Sequence, residues 1–123
     1  MDVHARRERL AHSRLYLVLE ARPHGGDPRP LLDAALRGGV DYVGVTAFAT
    51  PTKDDAVAGG LELVRVAAAT ISIPWFAIGG IDLANVADVA VAGAPGIAVV
   101  RAIRDASDPE AVARELRQGL DRQ

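Results

Sequence analysis

The chain contains no cysteine among its 123 residues. Disulfides, thiolate metal sites and cysteine nucleophiles are therefore excluded. No apolar run approaches the roughly 20 residues that span a bilayer. The N-terminal stretch "MDVHARRERLAHS" is polar and arginine-rich, without the apolar segment of a signal peptide. The charge balance is near neutral and slightly acidic, the formal net charge being −2. That balance gives no electrostatic reason to expect nucleic acid or an anionic membrane as a partner. Lysine is almost missing as well: Lys53 is the single one, and the remaining basic residues are arginines. A bias of base composition would account for that, and so would a function for Lys53. The expectation is a cytoplasmic protein with neither nucleic-acid nor membrane partners.

What is present is a hydrophobic half of the residues, on a chain long enough for one compact core. Residues 1–13 read as an N-terminal arm and 14–123 as a single domain. "RLYLVLE" (14–20) is rich in strand formers, and "ARPHGGDPRP" after it is a loop by its Gly and Pro content. "PLLDAALRGG" spaces Leu31, Leu32, Ala35 and Leu36 as a helix that stops at Gly38. "VDYVGV" (40–45) is a second strand, followed by a polar loop over 46–59. "GLELVRVAAAT" (60–70) predicts a helix with Leu61, Val64 and Ala68 on one face. "IPWFAIGG" (73–80) is a third strand, and "DLANVADVAVAG" (82–93) a helix capped by Asp82. "GIAVV" (96–100) is a fourth strand. The final helix starts at "SDPE", with Asp108 as cap and Pro109 in the first helical position, and turns Val112, Leu116 and Leu120 inward.

The order is β-α, four times over. Strands without polar alternation, separated by amphipathic helices, predict an α/β fold with a parallel sheet and right-handed crossovers. In such folds the functional groups gather at the C-terminal ends of the strands. Four segments fall there: "EARPHGGD", "TAFATPTKDD", "GGID" and "VVRAIRD".

Two readings of "AIGGID" stand side by side. The glycines either serve a tight turn or let the backbone approach a phosphate beside a helix start. The neighbouring "VVRAI", with Arg101, favours phosphate, because adjacent βα loops commonly share one. "TPTK" supplies two hydroxyls and an ammonium, although an isolated copy would be an ordinary solvated turn. Asp54 and Asp55 suit either a divalent cation or a helix cap. Of the three histidines, His4 and His12 lie on the arm and His24 lies in the first βα loop. Neither a Ser-His-Asp set nor a metal-ligand cluster is visible. Glu20 is the other ionisable group at a strand end.

Taken in order, "RLYLVLE", "DYVGV…ATPTK", "GLELVR", "IPWFAIGGID..N" and "GIAVVRAI" resemble thiamine-phosphate synthase and its relative, the thiazole tautomerase. The resemblance runs from Arg14 onward. It implies a βα barrel enzyme, a transferase of thiamine biosynthesis. That enzyme joins hydroxymethylpyrimidine pyrophosphate to a thiazole phosphate with Mg2+, releasing pyrophosphate. By position it implies that Thr50, Pro51 and Thr52 contact the thiazole phosphate. Lys53 would contact the pyrimidine pyrophosphate and serve in catalysis. Gly79, Gly80, Val100 and Arg101 would hold the thiazole's phosphate, mostly through backbone N–H groups. Where Arg101 stands, the family usually has serine.

The chain departs from this family in length. It runs from a first βα unit into what resembles the family's sixth strand, so the second to fifth units are missing. The Gln-x-Arg-x-Lys motif, the two magnesium-binding aspartates and a substrate-binding serine are missing with them. What remains implies a partial, half TIM barrel with no metal ligands of its own and an impaired coupling activity. Alternatives are a non-catalytic phosphate- or thiazole-phosphate-binding module and a tautomerase-like protein. Four βα units cannot close a barrel. Two copies completing one as a homodimer, an open sheet with helices on both faces, and a fragment that folds poorly are the three physical outcomes.

Overall fold

The computed structural model describes residues 5, 8, 11–20, 26–48 and 60–121. Within them a four-stranded parallel sheet runs in chain order. Its strands are β1 (Tyr16–Leu19), β2 (Tyr42–Thr46), β3 (Trp75–Ile78) and β4 (Ile97–Ala98). The helices are α1 (Arg29–Arg37), α2 (Gly60–Thr70), α3 (Val86–Val91), α4 (Arg101–Arg104) and α5 (Pro109–Asp121). The four βα units expected from the sequence are therefore present, with shorter strands than the apolar runs suggested. A parallel sheet whose neighbours follow chain order, with right-handed crossovers, brings its helices to one face.

Burial along the strands agrees with that placement. Leu19, Val43, Val45, Trp75 and Ala77 are buried and join Leu32, Leu63, Val64, Val89 and Leu116 of the helices in one apolar cluster. Each Val or Leu side chain so buried contributes about 1.5–3 kcal/mol relative to exposure. On the opposite face Tyr16 and Val18 stay 36% and 49% exposed, while Tyr42, Thr46, Phe76, Ile78 and Ala98 are half-buried. The rings there cover each other. Tyr16 stacks on Tyr42 with centroids 4.4 Å apart, and Tyr42 meets Phe76 edge-on at 6.3 Å. The Tyr16 ring also lies where a Cβ on Gly44 would be, so Gly44 is what lets it lie down on the sheet. Burial of Tyr16 and the neighbouring Tyr42 hydroxyl both raise the Tyr16 pKa above the usual phenol value.

Local chemistry explains both ends of α1 and the start of α5. Asp27 accepts the Arg29 backbone N–H at 3.0 Å and grips the Arg29 guanidinium at 2.8 Å, while Pro30 sits in the first turn of α1. The Arg29 hydrogen bonds hold the Asp27 carboxyl down at about 2. Gly38 closes α1, donating its N–H to the Ala34 and Ala35 carbonyls. Asp108 accepts the Ala111 N–H at 3.1 Å ahead of Pro109, as expected for a cap. Leu116 is buried, and Val112 and Leu120 pack against the core beside it. Asp41 ties β1 to β2 by accepting the N–H groups of Arg14 and Leu15 at 2.7 and 2.9 Å.

Two helices differ from expectation. In α2 the buried face is Leu63, Val64 and Ala67, with Ala68 exposed. The run from Val66 to Ala69 is apolar throughout, so periodicity alone did not set its phase. The helix expected over 82–93 begins only at Val86. Its first residues form instead a side-chain-bonded turn, described below. Of the arm, Ala5, Glu8 and Ala11 are helical and His12 is exposed, while His4 lies outside the described residues.

Candidate functional site

Because the strands are parallel, their C-terminal ends share one edge of the sheet. Between β2 and β3 the pairing continues past both strand ends. Ala47 donates its N–H to the Ile78 carbonyl at 2.7 Å, and Phe48 to the Gly79 carbonyl at 3.3 Å. Gly79 and Gly80 adopt φ of 96° and 67°, which favour glycine over any residue with a Cβ. Cβ atoms there would lie 3.1 Å from the Phe48 carbonyl oxygen and 3.1 Å from the Phe48 Cβ, respectively. The pair is thus required both by backbone conformation and by close approach.

The next turn is built from two side chains. Asn85 accepts the Asp82 N–H through Oδ1 at 2.9 Å and donates Nδ2–H to the Gly80 carbonyl at 2.9 Å. Asp82 accepts the Ala84 N–H at 2.9 Å, and its carbonyl accepts the Val86 N–H at 2.9 Å. Asp82 is therefore not the N-cap expected for this helix: the N-cap of α3 is Asn85, and Asp82 instead bonds the turn that delays the helix. Among the described residues, none accepts a hydrogen bond from the N–H of Gly80 or Ile81.

β4 ends beside this turn, since Ala98 is in register with Ile78. The Val100 carbonyl accepts from Ile103 and Arg104 at 3.3 and 2.8 Å, opening the short α4. Among the described residues the N–H groups of Val100, Arg101 and Ala102 likewise meet no acceptor. Val100 is 64% exposed, and the Arg101 side chain is exposed too. Arg104 pairs with Asp105 at 2.8 Å. That hydrogen bond, helped by the charges of Arg104 and Arg101, lowers the Asp105 pKa.

Gly79, Gly80, Val100 and Arg101 are therefore brought to the ends of adjacent strands, where unpaired amides and cationic side chains suit an anion. Thr50, Pro51, Thr52 and Lys53 lie outside the described residues, as do Asp54, Asp55 and His24. The root of their loop, Ala47–Phe48, is described, and it is bonded to the glycine turn. Glu20 is exposed at the end of β1. Among the described residues no group of three or more His, Cys, Asp or Glu could hold a metal ion. Among the described residues, apart from the Asp82 carboxylate bonded to Ala84, the groups in these turns are mostly amides and guanidinium, a set that does not fit Mg2+.

A sequence model of the thiamine monophosphate synthase family matches residues 27–103. The chain belongs to that family. It is 54% identical over 88 residues to a thiamine-phosphate synthase of Thermus thermophilus, covering 70% of this chain and 43% of the relative. It is 44% identical over 123 residues to one of Arthrobacter, covering 84% of this chain and 52% of the relative. A thiamine phosphate pyrophosphorylase from Pyrococcus furiosus superposes with a TM-score of 0.70 at 28% identity, over 99% of this chain and 55% of that one. A 3-hexulose-6-phosphate synthase from Salmonella typhimurium, at 21% identity and a TM-score of 0.71, shares the fold. This member of the thiamine monophosphate synthase family thus spans about half the length of these relatives or less. The resemblance to thiamine-phosphate synthase holds, and so does the fold: four βα units matching about half of a barrel-like enzyme.

Asn85 and Phe48 were not singled out as functional from the sequence. Asn85 entered the reading of the sequence as the closing residue of the motif "IPWFAIGGID..N", without a role of its own, and its place three residues after Asp82 is a spacing that suits side-chain bonding at a helix start.

Proposed function

We propose that this chain carries the thiazole-phosphate half of a thiamine-phosphate synthase site. The observation that supports this most is the double set of amides, at Gly80–Ile81 and at Val100–Ala102 on adjacent strand ends, that meet no acceptor among the described residues. In this reading Gly79, Gly80, Val100 and Arg101 hold the thiazole's phosphate. Thr50, Pro51 and Thr52 contact the same substrate, and Lys53 contacts the pyrophosphate of the pyrimidine. The reaction breaks the bond between the pyrimidine methylene and the pyrophosphate oxygen and forms a bond from that methylene to the thiazole nitrogen. Pyrophosphate leaves with the electron pair of the broken bond.

Stabilising that leaving group needs cations around it. From this chain, Lys53 and Arg101 are the candidates. Coupling by the chain alone is therefore impaired. The working location is the cytoplasm and the partners are small phosphorylated molecules.

The partly exposed sheet face supports a second copy as the missing half. A homodimer would continue the sheet, β4 of one protomer beside β1 of its partner, toward the eight strands that close a barrel. Titration with thiazole phosphate, beside an assay of thiamine phosphate formation from both substrates with and without Mg2+, tests the functional reading. Binding with slow turnover that Lys53→Ala abolishes is the expected result. Binding with no turnover would reduce the chain to a binding module. Absence of binding would overturn the proposal. Light scattering at micromolar concentration tests the dimer, and a stable monomer would end it.

A further inference from the structure

The amides at the end of β3 point where they do because their carbonyls are held. Every peptide bond described is trans, so each C=O and the following N–H point in opposite directions. The Gly79 carbonyl accepts from Phe48, which turns the Gly80 N–H away from Phe48. The Gly80 carbonyl accepts from Asn85 Nδ2, which turns the Ile81 N–H away from Asn85. With both glycines in the left-handed region, these peptide planes have freedom to flip that other residues lack. A donor lost on the carbonyl side frees the amide on the other side.

We propose that Asn85 is a positioning residue for the phosphate of the thiazole substrate, acting through the Gly80–Ile81 peptide. The inference rests on the phosphate reading above. Asn85 is suited to the task because one amide group makes both bonds. Its oxygen is occupied by the Asp82 N–H, so its nitrogen must face the Gly80 carbonyl. Aspartate in its place would keep the acceptor and present a second oxygen to that carbonyl, repelling it. The half-buried side chain has no other described partner. The Asp82 carboxylate, bonded to the Ala84 N–H, braces the same turn without reaching Gly80.

The experiment compares the wild-type chain with Asn85→Asp and Asn85→Ala in calorimetric titration with thiazole phosphate. Amide spectra of 15N-labelled protein are recorded alongside. Asp108→Ala, which removes a cap of α5 that shares no hydrogen bond with this turn, controls for general loss of stability. The expected result is a roughly tenfold or greater rise in Kd for both Asn85 variants. The Gly80 and Ile81 amide signals should shift even without ligand. Asp108→Ala should melt earlier yet bind with unchanged affinity. Wild-type binding that the Asn85 variants match, with a lowered melting temperature only, would leave Asn85 a structural residue and overturn this inference alone. Absence of binding by the wild type would overturn it together with the phosphate reading. If the variants fail to fold, hydrogen exchange of the wild-type Gly80 and Ile81 amides, with and without thiazole phosphate, decides. Protection of Ile81 on binding supports the proposal, and its absence refutes it.

Discussion

Gly80 holds φ of 67° with Phe48 packed where a side chain would begin. Replacement by alanine is expected to cost about 1–2 kcal/mol, the penalty of a left-handed residue. It should also weaken thiazole-phosphate binding, since the strained turn would relax by rotating its peptides. Chemical denaturation and calorimetry read the two effects separately. Arg101 should behave differently. Its guanidinium is exposed, where salt screens an ion pair to a value of about 0–1 kcal/mol. Arg101→Ser, which restores the residue usual in the family, should therefore change the affinity less than about fivefold at physiological salt. A larger loss would show that the side chain, rather than the backbone N–H, carries the contact. The glycine pair was legible in the sequence as a turn that needs glycine, because it directly follows an apolar strand and precedes a helix. The bond from Asn85 to a carbonyl was not, because such a contact leaves no periodic trace.

Helix boundaries illustrate what element-level patterns carry. The start of α5 was readable from Asp108 and Pro109, since cap chemistry is local in sequence. Asp108→Ala should lower stability by about 1 kcal/mol, measurable as a shift in the urea midpoint with an unchanged slope. At α1 the Asp27 carboxyl titrates at about 2, below its ordinary value of 3.8. A depressed carboxyl contributes its stabilisation above the unfolded pKa and loses it as pH falls through the folded one. Acid stability curves of the wild type and Asp27→Asn should therefore converge between pH 3.8 and about 2, with a small separation above, because the pair is fully exposed. The phase of α2 was not readable. With apolar residues nearly all round its C-terminal half, only packing against the sheet selects Ala67 over Ala68. The late start of α3 escaped for a related reason: Asp82 and Asn85 satisfy the local N–H groups before any helix is needed.

For the whole molecule, the sequence made the parallel sheet clear, because strands apolar on both faces belong in such sheets. It did not tell which face the helices leave open. The face bearing Tyr16, Val18, Tyr42 and Phe76 is partly closed by its own rings, yet Val18 remains 49% exposed. A lysine at Val18 would place a charge in the middle of any sheet-to-sheet contact. Val18→Lys is expected to turn a dimer into a monomer in sedimentation velocity while leaving the far-ultraviolet spectrum intact. Equal sedimentation of both proteins would argue against this face as the contact.

Each strand pairs only with the strands next to it in the chain. The paired strands are separated by 26, 32 and 20 residues, from Tyr16 to Tyr42, Val43 to Trp75 and Ala77 to Ile97. No pairing waits for a distant segment to arrive. Such a chain can assemble from one end to the other, each unit templating the next. Removing or adding an internal unit leaves every other pairing of the same kind. A serial design of this sort tolerates changes in length that would scramble a sheet with interleaved strand order.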